Sequence, residues 1–107
     1  MKKATTICAI ATPTGIGGIA VIRVSGPDAC SVVGPIFSKT IAGMQSHSAH
    51  FGLIKEQSVL IDEVIVTYFK GPNSFTGEDV IEISCHGSIF IQNKIIHSVE
   101  YQKLFNP

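Results

Sequence analysis

The sequence predicts an α+β domain with the element order β-β-α-β-β-β-α, in which a mostly antiparallel sheet carries its helices on one face. Three observations predict it. Runs rich in β-branched residues recur at 4–11, 18–24, 50–55, 63–69 and 79–84, each bounded by turn formers. Two other stretches space their apolar residues as a helix does. The chain has 107 residues, enough for one core and too few for two, so residues 1–107 are read as a single domain.

The first two strands carry Thr6, Ile7 and Ile10, then Ile19, Val21, Ile22 and Val24, with Pro13-Thr14-Gly15-Ile16-Gly17-Gly18 between them. Ser25-Gly26-Pro27-Asp28 resets the chain. Pro27 suits a first helical position, and Ala29, Val32, Val33, Ile36 and Phe37 follow at helical spacing, which predicts a helix over 27–38 weakened by Gly34-Pro35. Residues 40–46 connect to two strands, 50–55 and 63–69, that form a hairpin. The segment from Gly71 to Gly77 is dense in turn residues and leads into the strand at 79–84. His86-Gly87-Ser88 then opens a final helix ending near Ile96, with Ser88 as its cap.

Composition narrows the function classes. Eight basic residues, of which Arg23 is the only arginine, balance eight acidic ones. Charged residues make up 15% against roughly 25% in an average soluble domain. Such a chain has no basic field to hold a nucleic acid unaided, and part of its apolar surface is expected to meet a partner. Cys8, Cys30 and Cys85 form no CxxC pair, which predicts reduced thiols and a cytoplasmic protein. The opening Met1-Lys2-Lys3 imitates a secretory leader, but Thr5 and Thr6 break the apolar stretch, which reads as a strand. No run approaches ~18 uninterrupted apolar residues, so no membrane-spanning helix is expected.

Several motifs fail on context. Gly15-Ile16-Gly17-Gly18-Ile19-Ala20 fits a dinucleotide fingerprint in letters, but a strand follows it where a helix is needed, and no acidic residue stands between Asp28 and Glu56. Its glycines are read as a bend that lets another backbone approach, or as part of a ligand rim. No Gly-Lys-Ser/Thr completes a phosphate loop. Cys85 and His86 are neighbours on a strand and face opposite ways, which separates nucleophile from base. His47, His50 and His86 lack a metal-binding pattern, so no metal site is expected. Glu78-Asp79 reads as a pair that fixes the loop and strand start by hydrogen bonds.

Arg23 and Glu82 are the informative charges. Each interrupts an apolar run, Ile19-Ala20-Val21-Ile22-Arg23-Val24 and Val80-Ile81-Glu82-Ile83. An unpaired charge on a covered face is costly. Alternation groups Arg23 with Ile19 and Val21, and Glu82 with Val80, Ser84 and His86. Two readings remain: a structural ion pair or two wet positions on an open face, and a pocket in which Glu82 meets a planar amidine-like ring and Arg23 an anion.

The blocks Ala9-Ile10-Ala11-Thr12-Pro13, Gly17 to Pro27 with Arg23 inside it, Asp62-Glu63-Val64, and Gly71 to Ile83 followed by Cys85-His86-Gly87 resemble the N-terminal domains of the TrmE (MnmE) family of tRNA modification GTPases. The resemblance covers about 5–96 and leaves 97–107 as an atypical tail. It implies a folate-binding half-domain similar to those of aminomethyltransferases, a 5-formyl-tetrahydrofolate-type one-carbon donor as ligand, and a homodimer with exchanged first strands. It also places Arg23 and Glu82 where the family contacts the folate. A pterin offers paired N–H donors that suit the carboxylate of Glu82, while Arg23 suits a carboxylate or carbonyl.

For a full-length relative, the resemblance further implies wobble-uridine modification at carbon 5 with tRNA and an FAD-dependent partner of the GidA (MnmG) type. GTP, magnesium and potassium would belong to a G domain, and that domain and the helical domain are absent from this sequence. Thr5 and Ile16 stand where the family usually has Asp and often Arg. The expectation is therefore a truncated or fragmentary product, or an isolated domain, that binds folate, dimerises and performs no catalysis alone. The alternative is a fragmentary dimerisation module with no retained ligand binding. A stand-alone one-carbon transferase would need a positioned acid or base that the sequence does not identify.

Overall fold

A computed structural model describes residues 5–12 and 18–105. Strands β1 (Ile7–Ile10), β2 (Ile19–Ser25), β3 (Ser48–Glu56), β4 (Val59–Phe69) and β5 (Val80–His86) form one antiparallel sheet in the order β1-β2-β5-β4-β3, with helices α1 (Ala29–Val33) and α2 (Ile89–Lys103). The expected α+β order is observed. Period-two alternation gives the sheet one dry face: Ala20, Ile22 and Val24 of β2, Ile81, Ile83 and Cys85 of β5, and Val64, Val66 and Tyr68 of β4 are buried. Val32 and Val33 of α1 and Ile95 and Val99 of α2 close the core from that side. Both helices take this face because it is the apolar one. No helix among the described residues is long and apolar enough to cross a membrane.

The helices differ from expectation at their ends. The helix expected over 27–38 is helical only at Ala29–Val33 and continues as a 3₁₀ turn, Gly34–Ile36, with Phe37 extended. Pro35 has no N–H to donate to the preceding turn, and the tighter turn absorbs it. The final helix does not stop near Ile96 but runs to Lys103. Gln92, Ile95 and Val99 are buried at helical spacing, and Ser98, also buried, donates to Glu56 Oε2 at 3.3 Å. Packing therefore carries the helix on into the segment read as an atypical tail. Ser88 caps it as expected, its Oγ accepting from Ile91 N–H at 3.3 Å.

The hairpin of β3 and β4 is also longer than expected, because its turn is Gln57-Ser58, with φ of 49° and 70°. Both residues adopt the left-handed region that a two-residue hairpin turn demands, without the usual Asn-Gly signal. The glycine bend expected at 15–18 lies, but for Gly18, outside the described residues. Asp79 fixes its loop as expected, with Oδ1 accepting from Gly71 N–H at 2.9 Å.

One glycine is required by packing. The ring of Phe37 lies on Gly52, where a Cβ would collide with the ring carbons, whereas a Cβ at Gly18 would meet nothing within 4 Å. Gly52→Ala is therefore expected to lower the unfolding free energy by ~1–3 kcal/mol, and Gly18→Ala to change it by at most ~0.5 kcal/mol. Urea denaturation of the two variants against the parent checks both.

Candidate functional site

Among the described residues the second sheet face carries no helix, and its composition is mixed. Cross-strand register sets its rows: Arg23 lies opposite Glu82, which lies opposite Thr67; Val21 lies opposite Ser84, which lies opposite Ile65, which lies opposite Phe51. Ile19 and His86 pair at the end of the strip.

Arg23 and Glu82 are thus brought together. Arg23 Nη2 and Nε donate to one oxygen, Glu82 Oε2, at 2.7 and 3.0 Å. The side chains are 33% and 25% exposed. At that exposure the pair contributes at most ~1 kcal/mol to stability. Among the described residues no hydrogen bond is made by Arg23 Nη1 or Glu82 Oε1, which leaves a donor and an acceptor of the pair on an open face. Phe75, 88% exposed, lies over the guanidinium with its ring centre 5.2 Å from Arg23 Cζ. The loop bearing it is tied to β2 through Ser25 Oγ and Thr76 Oγ1, 2.8 Å apart, and to its own far side by the Ser74 hydroxyl donating to the Glu78 carbonyl. Phe75 was in the quoted family block, yet nothing in its spacing placed it over Arg23.

The sequence reading missed a second grouping, at the other end of the strip. Asp62, 7% exposed, receives His86 N–H on Oδ2 at 2.8 Å and His86 Nδ1 on Oδ1 at 2.7 Å. His86 itself is 67% exposed. It lines a shallow depression of about 240 Å³ with Ile19, Phe51, Glu63, Ile65 and Ser84. The available signals were the grouping of His86 with Glu82 by alternation and the acidic Asp62-Glu63, but their meeting depends on strand register.

The three cysteines are free thiols. Cys85 faces the core, away from His86, and burial foremost, with the charge of Asp62 adding to it, pushes its thiol up to about 11. Burial foremost, with the charge of Glu100 adding to it, pushes Cys8 up to about 12, and burial likewise raises Cys30. The histidines are not gathered: His47 packs edge-on against Phe69 and His50 Nε2 pairs with Ser48 Oγ. No group of three or more possible metal ligands exists among the described residues. Because folding raises these thiol pKa values, the native state is favoured below the unfolded value near 9 and loses that advantage as pH climbs toward 11–12. Alkylation of Cys8 and Cys85 by iodoacetamide at pH 8.5 is expected to be at least about tenfold slower in the native than in the urea-unfolded chain, read by mass spectrometry.

A helix-backed antiparallel sheet that leaves an arginine–carboxylate pair on its open face defines a small α+β domain. Residues 6–105 match the family described as "GTP-binding protein TrmE N-terminus", and the chain belongs to that family. It is 48% identical over 99 residues to the tRNA modification GTPase MnmE of Chlamydia trachomatis serovar L2, covering 92% of this chain and 22% of that protein. It is 53% identical over 92 residues to the MnmE of Cytophaga hutchinsonii, covering 85% and 20%. For the MnmE of Porphyromonas gingivalis the figures are 50% over 99 residues, 88% and 21%. The chain therefore spans about a fifth of the length of these relatives and corresponds to an N-terminal domain of such a GTPase.

Proposed function

We propose that this domain binds a 5-formyl-tetrahydrofolate-type one-carbon donor at Arg23 and Glu82 and pairs with a second copy of itself. In a full-length protein of this kind it would serve modification of the wobble uridine of tRNA at carbon 5, in concert with an FAD-dependent partner of the GidA type. The observation that carries the reading is the arginine–carboxylate pair on an open face. Its remaining donor, Arg23 Nη1, and remaining acceptor, Glu82 Oε1, complement the adjoining acceptor and N–H donors of a pterin edge. The exposed ring of Phe75 beside them offers a surface on which a flat heterocycle can stack.

Pairing is supported by the sheet edge. β1 is a short strand at the sheet edge, bonded among the described residues to β2, with Ile7 59% exposed. Ile19, Phe51 and Ile65 are exposed on the open face as well. A chain so poor in charge leaves apolar surface that a second copy would cover.

A second reading has an observation of its own. Arg23 and Glu82 already satisfy each other, as a purely structural ion pair would, and the domain would then be a dimerisation module without a ligand. Titration calorimetry with 5-formyl-tetrahydrofolate separates the two. Under the first reading the parent binds, and Glu82→Gln or Arg23→Ala weakens binding by ~1.5–3 kcal/mol with an unchanged circular dichroism spectrum. Absence of heat with the parent selects the second. Sedimentation at micromolar concentration is expected to give a dimer under both, and a stable monomer would remove the pairing.

A further inference from the structure

We infer that the imidazole of His86, held by Asp62, is the hydrogen-bond acceptor for the far end of an elongated ligand whose head sits at Arg23 and Glu82. The ligand class is a hydrogen-bonding heterocycle joined to a flat aromatic body that carries an N–H donor. This deepens the folate reading above and rests on it.

A carboxylate has no hydrogen to give, so the 2.7 Å contact between His86 Nδ1 and Asp62 Oδ1 places the proton on Nδ1. In the neutral ring Nε2 is then the nitrogen with the lone pair, an acceptor and a proton-holding atom. Asp62 is well suited to hold the ring. It is buried, and its other oxygen is occupied by the backbone N–H of the same residue. The ring cannot turn over without breaking a buried carboxylate's hydrogen bond. Yet the ring is 67% exposed, so this orientation serves no core contact. A buried group fixing the tautomer of an exposed imidazole is the arrangement by which a histidine is readied for another molecule.

The position of His86 names that molecule's shape. Glu82, Ser84 and His86 alternate onto one face of β5, opposite Arg23, Val21 and Ile19 of β2. Four residues of strand separate Glu82 from His86, about 13 Å along the strip. Between the two polar ends lie Val21 and Ile65 with Ser84 between them, and the depression at the far end adds Ile19 and Phe51. A head with donors and acceptors, a flat apolar middle and a polar far end match that sequence of surfaces. The far end carries acceptor-bearing residues: His86, Glu63 and Ser84 line it. It suits an N–H, such as an arylamine or aryl-amide hydrogen, and disfavours a carboxylate.

The test compares two compounds on the 107-residue chain: 5-formyl-tetrahydrofolate, and 5-formyl-6-methyl-tetrahydropterin, which has the head and lacks the aminobenzoyl body. The parent is expected to favour the longer compound. In His86→Ala that preference falls about tenfold, the loss of one well-formed hydrogen bond, while affinity for the head compound is unchanged, an outcome that a damaged fold would not give. Long-range ¹H–¹⁵N NMR of the parent is expected to show His86 protonated on Nδ1, with the Nε2 resonance moving on addition of the longer compound only. In Asp62→Asn the proton is expected to leave Nδ1 for Nε2, and the preference to fall as in His86→Ala. An unchanged preference in His86→Ala, or an Nε2-protonated ring in the parent, overturns the inference and leaves the folate reading standing. Binding of neither compound by the parent overturns both.

Discussion

The pairing of β2 with β5 is the interaction on which the rest of the domain depends. It joins Ile19–Ser25 to Val80–His86 across more than fifty intervening residues, in a register that sets Ile22 against Ile83 and Val24 against Ile81. Those four side chains are fully buried. Burying each such aliphatic side chain is worth about 1.5–3 kcal/mol, and closing so long a loop costs entropy that only such contacts offset. β1 and β4 then attach on either side of this pair, β3 follows through its hairpin, and both helices cover the face that the pair makes apolar.

The same register creates the polar features of the other face. Because side chains alternate, whatever places Ile22 on Ile83 must also place Arg23 on Glu82 and Ile19 beside His86. A slip of one residue would turn the charge of the slipped strand into the core, stranded in an apolar layer and parted from its partner. The ion pair and the core are therefore two consequences of one alignment. The pair itself adds little stability at its exposure, so its place on the open face is to be explained by what it can contact.

The open face has two ends of different character. At one, the guanidinium and carboxylate lie under an exposed aromatic ring on a loop held by side-chain hydrogen bonds. At the other, a buried carboxylate steers an exposed imidazole. Between them lie Val21, Ser84 and Ile65. On the helix-covered side, the buried side chain of Gln92 donates to the carbonyl of Gly87 and that of Ser98 to Glu56. The two faces of the sheet thus differ in kind, one a dry core and the other open and mixed in composition.

Much of this was legible in the sequence. Interruption of two apolar runs singled out Arg23 and Glu82, and alternation grouped each with its neighbours on one strand face. Ser88 after a glycine announced the cap of α2, and the blocks around Arg23 and Glu82 announced the family. Local chemistry determines such features, because a side chain's parity along its own strand and a cap's hydrogen bond need no distant partner. Strand order, register and the meeting of Asp62 with His86 were decided only by the tertiary structure. So were the turn at Gln57-Ser58, imposed on residues with no turn signature by the pairing of β3 with β4, and the extra turns of α2, which persist because Ser98 and Val99 find burial. A sequence states which way each residue faces along its own strand. Which residue it faces across the sheet is set by the burial of the whole apolar layer at once, and that sum exists only in the folded chain.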